Sequence, residues 1–480
     1  MELIPLYLIY LFVVIAVCIR ITMDTESPSK ALAYIIVVVM FPLIGIIFYF
    51  SVGVNYRKKK LYGKKLIHDH KAFPELERQT AEYSKNEREF QRENLSYFFP
   101  LAVYSSKGRL SSNNNLAVLL TNGEEKFPSL IESIKAAKNH IHLEYYIYEN
   151  DAIGTEIAEL LIIKAKEGLE VRFIYDDFGS KSIRKEFIAR MLIAGVQAVP
   201  FYKVNFIFFA NRLNYRNHRK ILVVDGITAY VGGINVSDKY CNDGKNQLYW
   251  RDTHLLIKGL SVMNLQYIFL TDWNFCAGEL IQFSGDYFPV SPQQPNYGNQ
   301  LVQIISSGPD SEYQTIMYSL IQAILLSKKE VLITTPYFIP EKSFLDALKI
   351  AALSGVRIKI IVPFQSDSAF INAACNSYYQ QLLELGISIY QYRKGFIHAK
   401  TLVCDEFVSI IGTANLDNRS FDLNFEVNAI VYDRSLAKQL KVQFENDLKY
   451  STKILLEEWL ERPIVTRTLE RVVHLFSPLL

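Results

Sequence analysis

Asn217-His218-Arg219-Lys220-Ile221-Leu222-Val223-Val224-Asp225, followed by Gly232-Gly233-Ile234-Asn235, sets a His, a Lys two residues on and an Asp five residues later in an otherwise apolar run. Further along, His398-Ala399-Lys400-Thr401-Leu402-Val403-Cys404-Asp405 repeats the spacing and Gly412-Thr413-Ala414-Asn415 repeats the tail. Residues two apart on a strand point to one face, so His218 with Lys220, and His398 with Lys400, can each form one wall of a pocket. A polar pattern written twice predicts a site assembled from two halves.

Outward from the motifs, the chain aligns with itself from about Phe127 onward. Ser129–Ile134 matches Ser319–Ile324 as an amphipathic helix, and Ile141–Ile147 matches Val331–Tyr337 as a strand. Helices ending at Gly168 and Gly355 lead into strands Val171–Tyr175 and Ile358–Val362. Helices ending at Gly195 and Gly386 lead into Gln197–Phe201 and Ser388–Tyr392, and the His-Lys-Asp strand follows. Asp225-Gly226 reads as a tight hairpin after the first motif strand. The alternation predicts an α/β fold with a largely parallel sheet core. The first copy carries an extra basic and aromatic insertion, Lys203 to Asn217, and a linker rich in Pro, Gly, Gln and Tyr separates the copies. Expected boundaries are 111–283 for the first repeat, 284–300 for the linker and 301–480 for the second repeat.

Two such sets bring together two imidazoles, two ammonium groups and the amides of Asn235 and Asn415. Imidazole can be a nucleophile when neutral and a general acid when protonated, and both forms are accessible near neutrality. Lysines and amides suit anionic oxygens, so the constellation fits a phosphodiester, with one His attacking phosphorus and the other protonating the leaving oxygen. Glu426, in the apolar run Asn424–Asn428, and Asp252, in Trp250–His254, are the candidate acids that orient the opposing imidazoles. For Asp252 the alternative is a salt bridge around Arg251. Asp225 and Asp405 complete the candidate catalytic sets. Each lies at a strand end, and anchoring the turn or the neighbouring lysine is the preferred role.

Of the 480 residues, 50% are hydrophobic and 13% aromatic, which points toward lipid, and a net charge of +3 gives no global field for nucleic acid. The five scattered cysteines contain no CxxC pair, so neither a disulfide framework nor a zinc site is expected. His68-Asp69-His70 lacks a third ligand nearby and reads as a solvated face, and His140 and His142 are weaker metal candidates still. Leu3–Ile19 and Ala31–Val54 are each apolar and long enough to cross a bilayer, predicting two transmembrane helices within residues 1–56. Arg57-Lys58-Lys59-Lys60 and Lys64-Lys65 open a charged linker over 57–110. This basic cluster predicts a cytoplasmic catalytic region and an outside connector over Thr22–Lys30, and it equally suits attraction of anionic headgroups.

The two motifs fit the HxK(x)4D(x)6GxxN signature, and on them the chain resembles the phospholipase D superfamily. More closely it is similar to the bacterial cardiolipin synthases, through Asn214–Lys220, Trp250–His254, Thr335–Pro340, Gly412–Phe421, Leu423–Glu426 and the closing Ser477-Pro478-Leu479-Leu480. The resemblance covers essentially the whole chain. It implies two tandem phospholipase D-like α/β/α repeats with the active site at their interface, behind a multi-pass anchor in the cell membrane. It also implies a two-step phosphatidyl transfer with no metal or cofactor. One phosphatidylglycerol gives its phosphatidyl group to His218 and releases glycerol, and a second attacks to give cardiolipin, with His398 as general acid and base. The expected partners are those lipids and glycerol, with no nucleic acid. Hydrolysis would use the same residues, so a membrane-anchored phospholipase D or another phosphatidyltransferase stays open at this stage. A nuclease is disfavoured by the membrane segments and the near-neutral charge.

Overall fold

The computed structural model describes residues 3–25, 28–50, 91–106, 111–201, 215–244, 248–278, 281, 285–289 and 295–479. The basic cluster at 57–65, His68-Asp69-His70, most of the charged linker, residues 203–214 of the insertion and part of the linker between the copies lie outside the described residues.

The first half supplies β1 (Ser111–Thr121), β2 (His140–Tyr145), β3 (Glu170–Asp176), β4 (Gln197–Phe201), β5 (Lys220–Val224), β6 (Thr228–Gly232), β7 (Tyr249–Arg251) and β8 (Thr253–Gly259). The second supplies β9 (Gln300–Ser307), β10 (Glu330–Thr334), β11 (Phe338–Ile339), β12 (Arg357–Pro363), β13 (Ser388–Tyr392), β14 (Gly395–Ile397), β15 (Thr401–Cys404), β16 (Val408–Gly412), β17 (Leu416–Asp417), β18 (Glu426–Tyr432) and β19 (Ser451–Lys453). One 15-stranded sheet runs β19-β13-β12-β10-β15-β16-β18-β9-β1-β8-β6-β5-β2-β3-β4. Outward from the central β9–β1 pair, both halves follow the same order, β1-β8-β6-β5-β2-β3-β4 against β9-β18-β16-β15-β10-β12-β13. This is a mixed α/β fold with two repeated domains.

The sheet is mixed rather than largely parallel. Within this sheet, among the described residues, only β2-β3-β4 and β10-β12-β13 pair in parallel. In each half the motif strand turns back as a hairpin, β5–β6 or β15–β16, and a short turn can join only antiparallel neighbours. Asp225 and Gly226 take φ of +53° and +69° at the first hairpin, and Asp405 and Glu406 take +52° and +51° at the second. The second copy therefore makes with two non-glycine residues the left-handed turn that Gly226 eases in the first.

A continuous apolar core joins the halves across the central strands, with Val231 and Leu255 from one side and Ile304, Val427 and Ala429 from the other. Two short backbone crossings bring the site together. β14 pairs in parallel with β7, and Asn217 bridges to Phe425. Consequently His398 N donates to the Arg251 carbonyl at 2.7 Å and His218 N donates to the Phe425 carbonyl at 3.0 Å. The backbone entering each motif thus lies beside the acid-bearing strand of the other half.

At the N-terminus, Leu3–Asp24 forms one 22-residue helix, about 33 Å long at 1.5 Å per residue, with Leu8, Ile9 and Phe12 exposed. Among the described residues it is the one helix long and apolar enough to cross a bilayer. The second apolar run is not the single unbroken helix expected. Helix Pro28–Met40 stops at Phe41, and helix Pro42–Phe48 doubles back against it. Tyr34 consequently stacks edge-on against Tyr49 at 5.5 Å, and Gly45 packs on the backbone of Val37 and Val38. Pro42 cannot donate an amide hydrogen and disfavours helical backbone at Phe41, and Gly45 lets the two segments approach.

Lys30, at the end of the Thr22–Lys30 connector, forms an ion pair with Asp422 in the second repeat. Leu479 packs into the same N-terminal cluster, next to Ser477, whose carbonyl accepts from Asn418 Nδ2 at 2.9 Å.

Candidate active site

His218 and His398 open on one cleft of about 380 Å³ between the halves, which Asn235 and Asn415 also line. Glu426 binds His218 Nδ1 with both oxygens at 2.9 Å, and Asp252 Oδ2 lies 2.7 Å from His398 Nδ1. Each acid comes from the half opposite to its histidine, and both acids are fully buried. Held by its carboxylate at Nδ1, each ring keeps Nε2 for the cleft.

The acids are themselves fixed. Glu426 accepts from the Thr413 hydroxyl and from Asn424 Nδ2 at 3.2 Å. Asp252 accepts from Thr253 N at 2.7 Å. Arg251 turns away from the Asp252 carboxylate and pairs with Asp447 of the other half at 3.0 Å, which leaves that carboxylate to His398. A β-carbon on Gly233 would collide with the Asp252 carboxylate, so the doubled glycine of the first motif makes room for the acid. On the other side of the site Gly412 stands equally close to the Asn428 amide, which accepts from Thr413 N at 3.1 Å.

Lys220 and Lys400 lie buried beneath the histidines. Lys220 Nζ donates to the His218 carbonyl at 2.7 Å. Lys400 Nζ contacts the His398 carbonyl and stands 2.9 Å from its Nδ1. Burial pushes Lys220 down to about 7 and Lys400 down to about 8. Burial also lowers both imidazoles, and with the Lys400 charge beside it His398 is pushed down to about 3. Burial raises the two acids, but His218 and Lys220 hold Glu426 below the usual carboxylate range, and Lys400 and His398 do the same for Asp252. These shifts favour neutral imidazole on carboxylate in both pairs.

The remaining predicted residues divide. Asn235 is committed to the fold, accepting from Ile147 N at 3.2 Å and donating to the Tyr240 hydroxyl at 2.9 Å. Asn415 Oδ1 has no partner among the described residues, so its amide is the one open to a ligand. Asp225 and Asp405 are not brought to the cleft. Asp225 accepts from Lys138, Asn139 and His140 N at 2.8–3.0 Å, and Asp405 from Lys328, Lys329 and Glu330 N at 2.7–2.9 Å. Each anchors the loop before a neighbouring strand, and neither touches the lysine. His140 and His142 sit in the core, where His142 stacks on Phe269 at 4.5 Å and Gln266 Nε2 lies 2.7 Å from its Nδ1. No cluster of three metal-ligating residues occurs among the described residues.

Sequence reasoning passed over Arg216, Arg419, Tyr146 and Tyr337, which also line the cleft. Tyr146 packs on His218 at 4.9 Å between ring centres. Their signal was adjacency: Arg216 stands two residues before the first histidine and Arg419 four after Asn415.

Residues 130–257 and 320–448 each match the family model described as cardiolipin synthase, PLD-like domain, and 9–53 match the phospholipase D-nuclease N-terminal family. The cardiolipin synthase of Alkalihalophilus pseudofirmus is 39% identical over 99% of this chain and 94% of its own. The major cardiolipin synthase of Bacillus subtilis strain 168 is 40% identical over 99% and 98%. Among solved structures, a phosphatidylserine synthase from Haemophilus influenzae superposes with a TM-score of 0.58 over 79% of this chain and 99% of that one, at 15% identity, and so shares the fold. With its doubled motif, its crosswise acids and these full-length relatives, the chain belongs to the cardiolipin synthase family of phospholipase D-like phosphatidyltransferases.

Proposed function

We propose that this chain joins two phosphatidylglycerol molecules into cardiolipin and glycerol through a phosphatidyl-histidine intermediate. The carrying observation is the pair of buried imidazoles, each bound at Nδ1 by a carboxylate of the other half. In the first step His218 Nε2 bonds the donor phosphorus as the bond to the glycerol oxygen breaks, and His398 delivers a proton to that oxygen. In the second, His398 takes the proton of the acceptor hydroxyl, the freed oxygen bonds phosphorus, and the phosphorus–nitrogen bond breaks. The assignment of His218 as nucleophile follows the superfamily resemblance. The anionic donor supplies the negative charge that lets His398, backed by Asp252, hold a proton. Lys220, Lys400 and the Asn415 amide support the non-bridging oxygens.

The test is incubation of the purified chain with phosphatidylglycerol alone. Cardiolipin with equimolar glycerol is expected, whereas phosphatidic acid as sole product would replace transfer by hydrolysis. Acid quenching and peptide mapping should place the phosphatidyl group on His218, and label on His398 would reverse the roles.

We infer also that helix Leu3–Asp24 crosses the bilayer, that the Pro28–Phe48 pair dips into it and returns, and that the catalytic halves face the cytoplasm. The exposed apolar side chains of the first helix and the Lys30–Asp422 contact support this arrangement. A cysteine at exposed Ser29 should react with an impermeant maleimide in inverted vesicles only. Labelling in right-side-out vesicles instead would overturn it.

A further inference from the structure

Cardiolipin carries two phosphodiesters, and the two motif lysines with the Asn415 amide account for only the one that reacts. Above the two motif lysines the cleft lining carries Arg216, Arg419 and Lys239, and the two-step chemistry leaves the two arginines unused. Arg216 is 7% exposed, with its guanidinium 4.3 Å from the Phe178 ring centre. Arg419 is half-buried on the same lining. Among the described residues neither guanidinium has a hydrogen-bonded side-chain or carbonyl acceptor. Asp176, the acid that acts most strongly on Arg216, has its oxygens taken by Phe178, Gly179 and Asn217 N at 3.0, 2.8 and 3.2 Å. Asp176 acts electrostatically on Arg216 and Asp417 on Arg419, but neither accepts a hydrogen bond from the guanidinium among the described residues, which leaves the donors for a bound anion.

Position says which anion. Arg419 rides on the short helix Asn418–Asp422, whose far end is ion-paired to Lys30 and whose first residue is bonded to Ser477, against the N-terminal helices. This is the end of the cleft that faces the membrane segments. A lipid entering headgroup first keeps its own phosphate nearer the bilayer than its glycerol hydroxyl.

We propose that Arg216 and Arg419 form a second phosphate subsite that grips the non-reacting phosphodiester of the acceptor lipid while its glycerol hydroxyl reaches the phosphatidyl-histidine. Bidentate guanidinium–phosphate recognition suits this task, and a second anion between two arginines removes their mutual repulsion. The subsite selects a phosphatidylglycerol acceptor over water or a neutral alcohol. It rests on the transfer reaction proposed above.

The test is a competition. The full chain in detergent micelles receives phosphatidylglycerol with ethanol as an uncharged second acceptor, and cardiolipin and phosphatidylethanol are quantified together. Arg419→Gln should lower the cardiolipin-to-phosphatidylethanol ratio about tenfold or more, through a higher KM for phosphatidylglycerol as acceptor. Arg419→Lys, which keeps the charge, should recover part of the ratio. Arg216→Gln should act in the same direction. An unchanged ratio in Arg419→Gln, whether or not total turnover falls, would overturn the subsite. Wild-type chain that makes no cardiolipin would instead defeat the transfer reading itself, so the two failures are distinguishable.

Discussion

Glu426→Gln separates the crosswise acid from a merely structural one. The carboxylate is fully buried, takes His218 Nδ1 on both oxygens at 2.9 Å, and holds two further donors. Glutamine keeps the shape and replaces an ionised acceptor with an amide whose NH2 can donate. The His218 proton then shifts from Nδ1 to Nε2, where it blocks attack on phosphorus. Loss of a hydrogen bond to a charged group costs about 1.5–3 kcal/mol, or roughly ten- to 150-fold in rate. Tautomer inversion raises this toward the roughly 10⁴-fold fall seen when the acid of a Ser-His-Asp triad becomes an amide. A fall of about 10²- to 10⁴-fold in glycerol release is therefore expected, with little change in melting temperature because a neutral ring still finds a partner. Rapid-quench measurement of the first turnover reads the step directly. A glycerol burst within threefold of wild type would refute the orienting role of Glu426.

Other outcomes follow from the same geometry. Burial holds Lys220 near 7 and Lys400 near 8, so kcat/KM should fall as pH rises through that window. Unfolded lysine keeps its proton to about 10.4, so there the unfolded chain binds more protons and the contribution of these groups to stability rises with pH. Melting temperature should therefore not follow the alkaline loss of activity. On the acid side, burial and Lys400 hold His398 near 3 while unfolded histidine protonates near 6.5, so its contribution to stability should decline between those values, as urea midpoints across pH can show. Gly233→Ala should displace the Asp252 carboxylate and cost about 10²-fold or more in turnover, and a folded variant of near-normal rate would contradict the close approach. Asp225→Ala and Asp405→Ala should each lose about 1–3 kcal/mol in chemical denaturation through stranded loop amides, while the folded fraction keeps its kcat.

The duplicated unit was legible because each copy repeats helix, strand and motif in one order, and apolar periodicity reports local structure well. Glu426 could be picked out as an acid in an apolar run, where an unpaired charge is costly, and Asp252 by its matching place after the first motif. That each serves the opposing histidine was expected from the doubled motif, but the β7–β14 and Asn217–Phe425 crossings that achieve it are set by tertiary packing and leave no local signal. The near-symmetry of the sequence also concealed a real asymmetry, since Asn235 is tied to Tyr240 while Asn415 remains open. In the N-terminal run, hydropathy measures only how apolar a segment is. The reversal at Phe41-Pro42 changes direction without changing hydropathy, so only Pro42 and Gly45 hinted at it.

The ion pair between Lys30 and Asp422 places the helix pair Pro28–Met40 and Pro42–Phe48 mechanically in series with the cleft. Asp422 ends the five-residue helix that carries Arg419, so tilting of the hairpin reaches the rim through one salt bridge and little more than one helical turn. Any displacement of that pair thereby acts as a load on the rim. The two apolar helices are also part of the frame that holds the site to its shape.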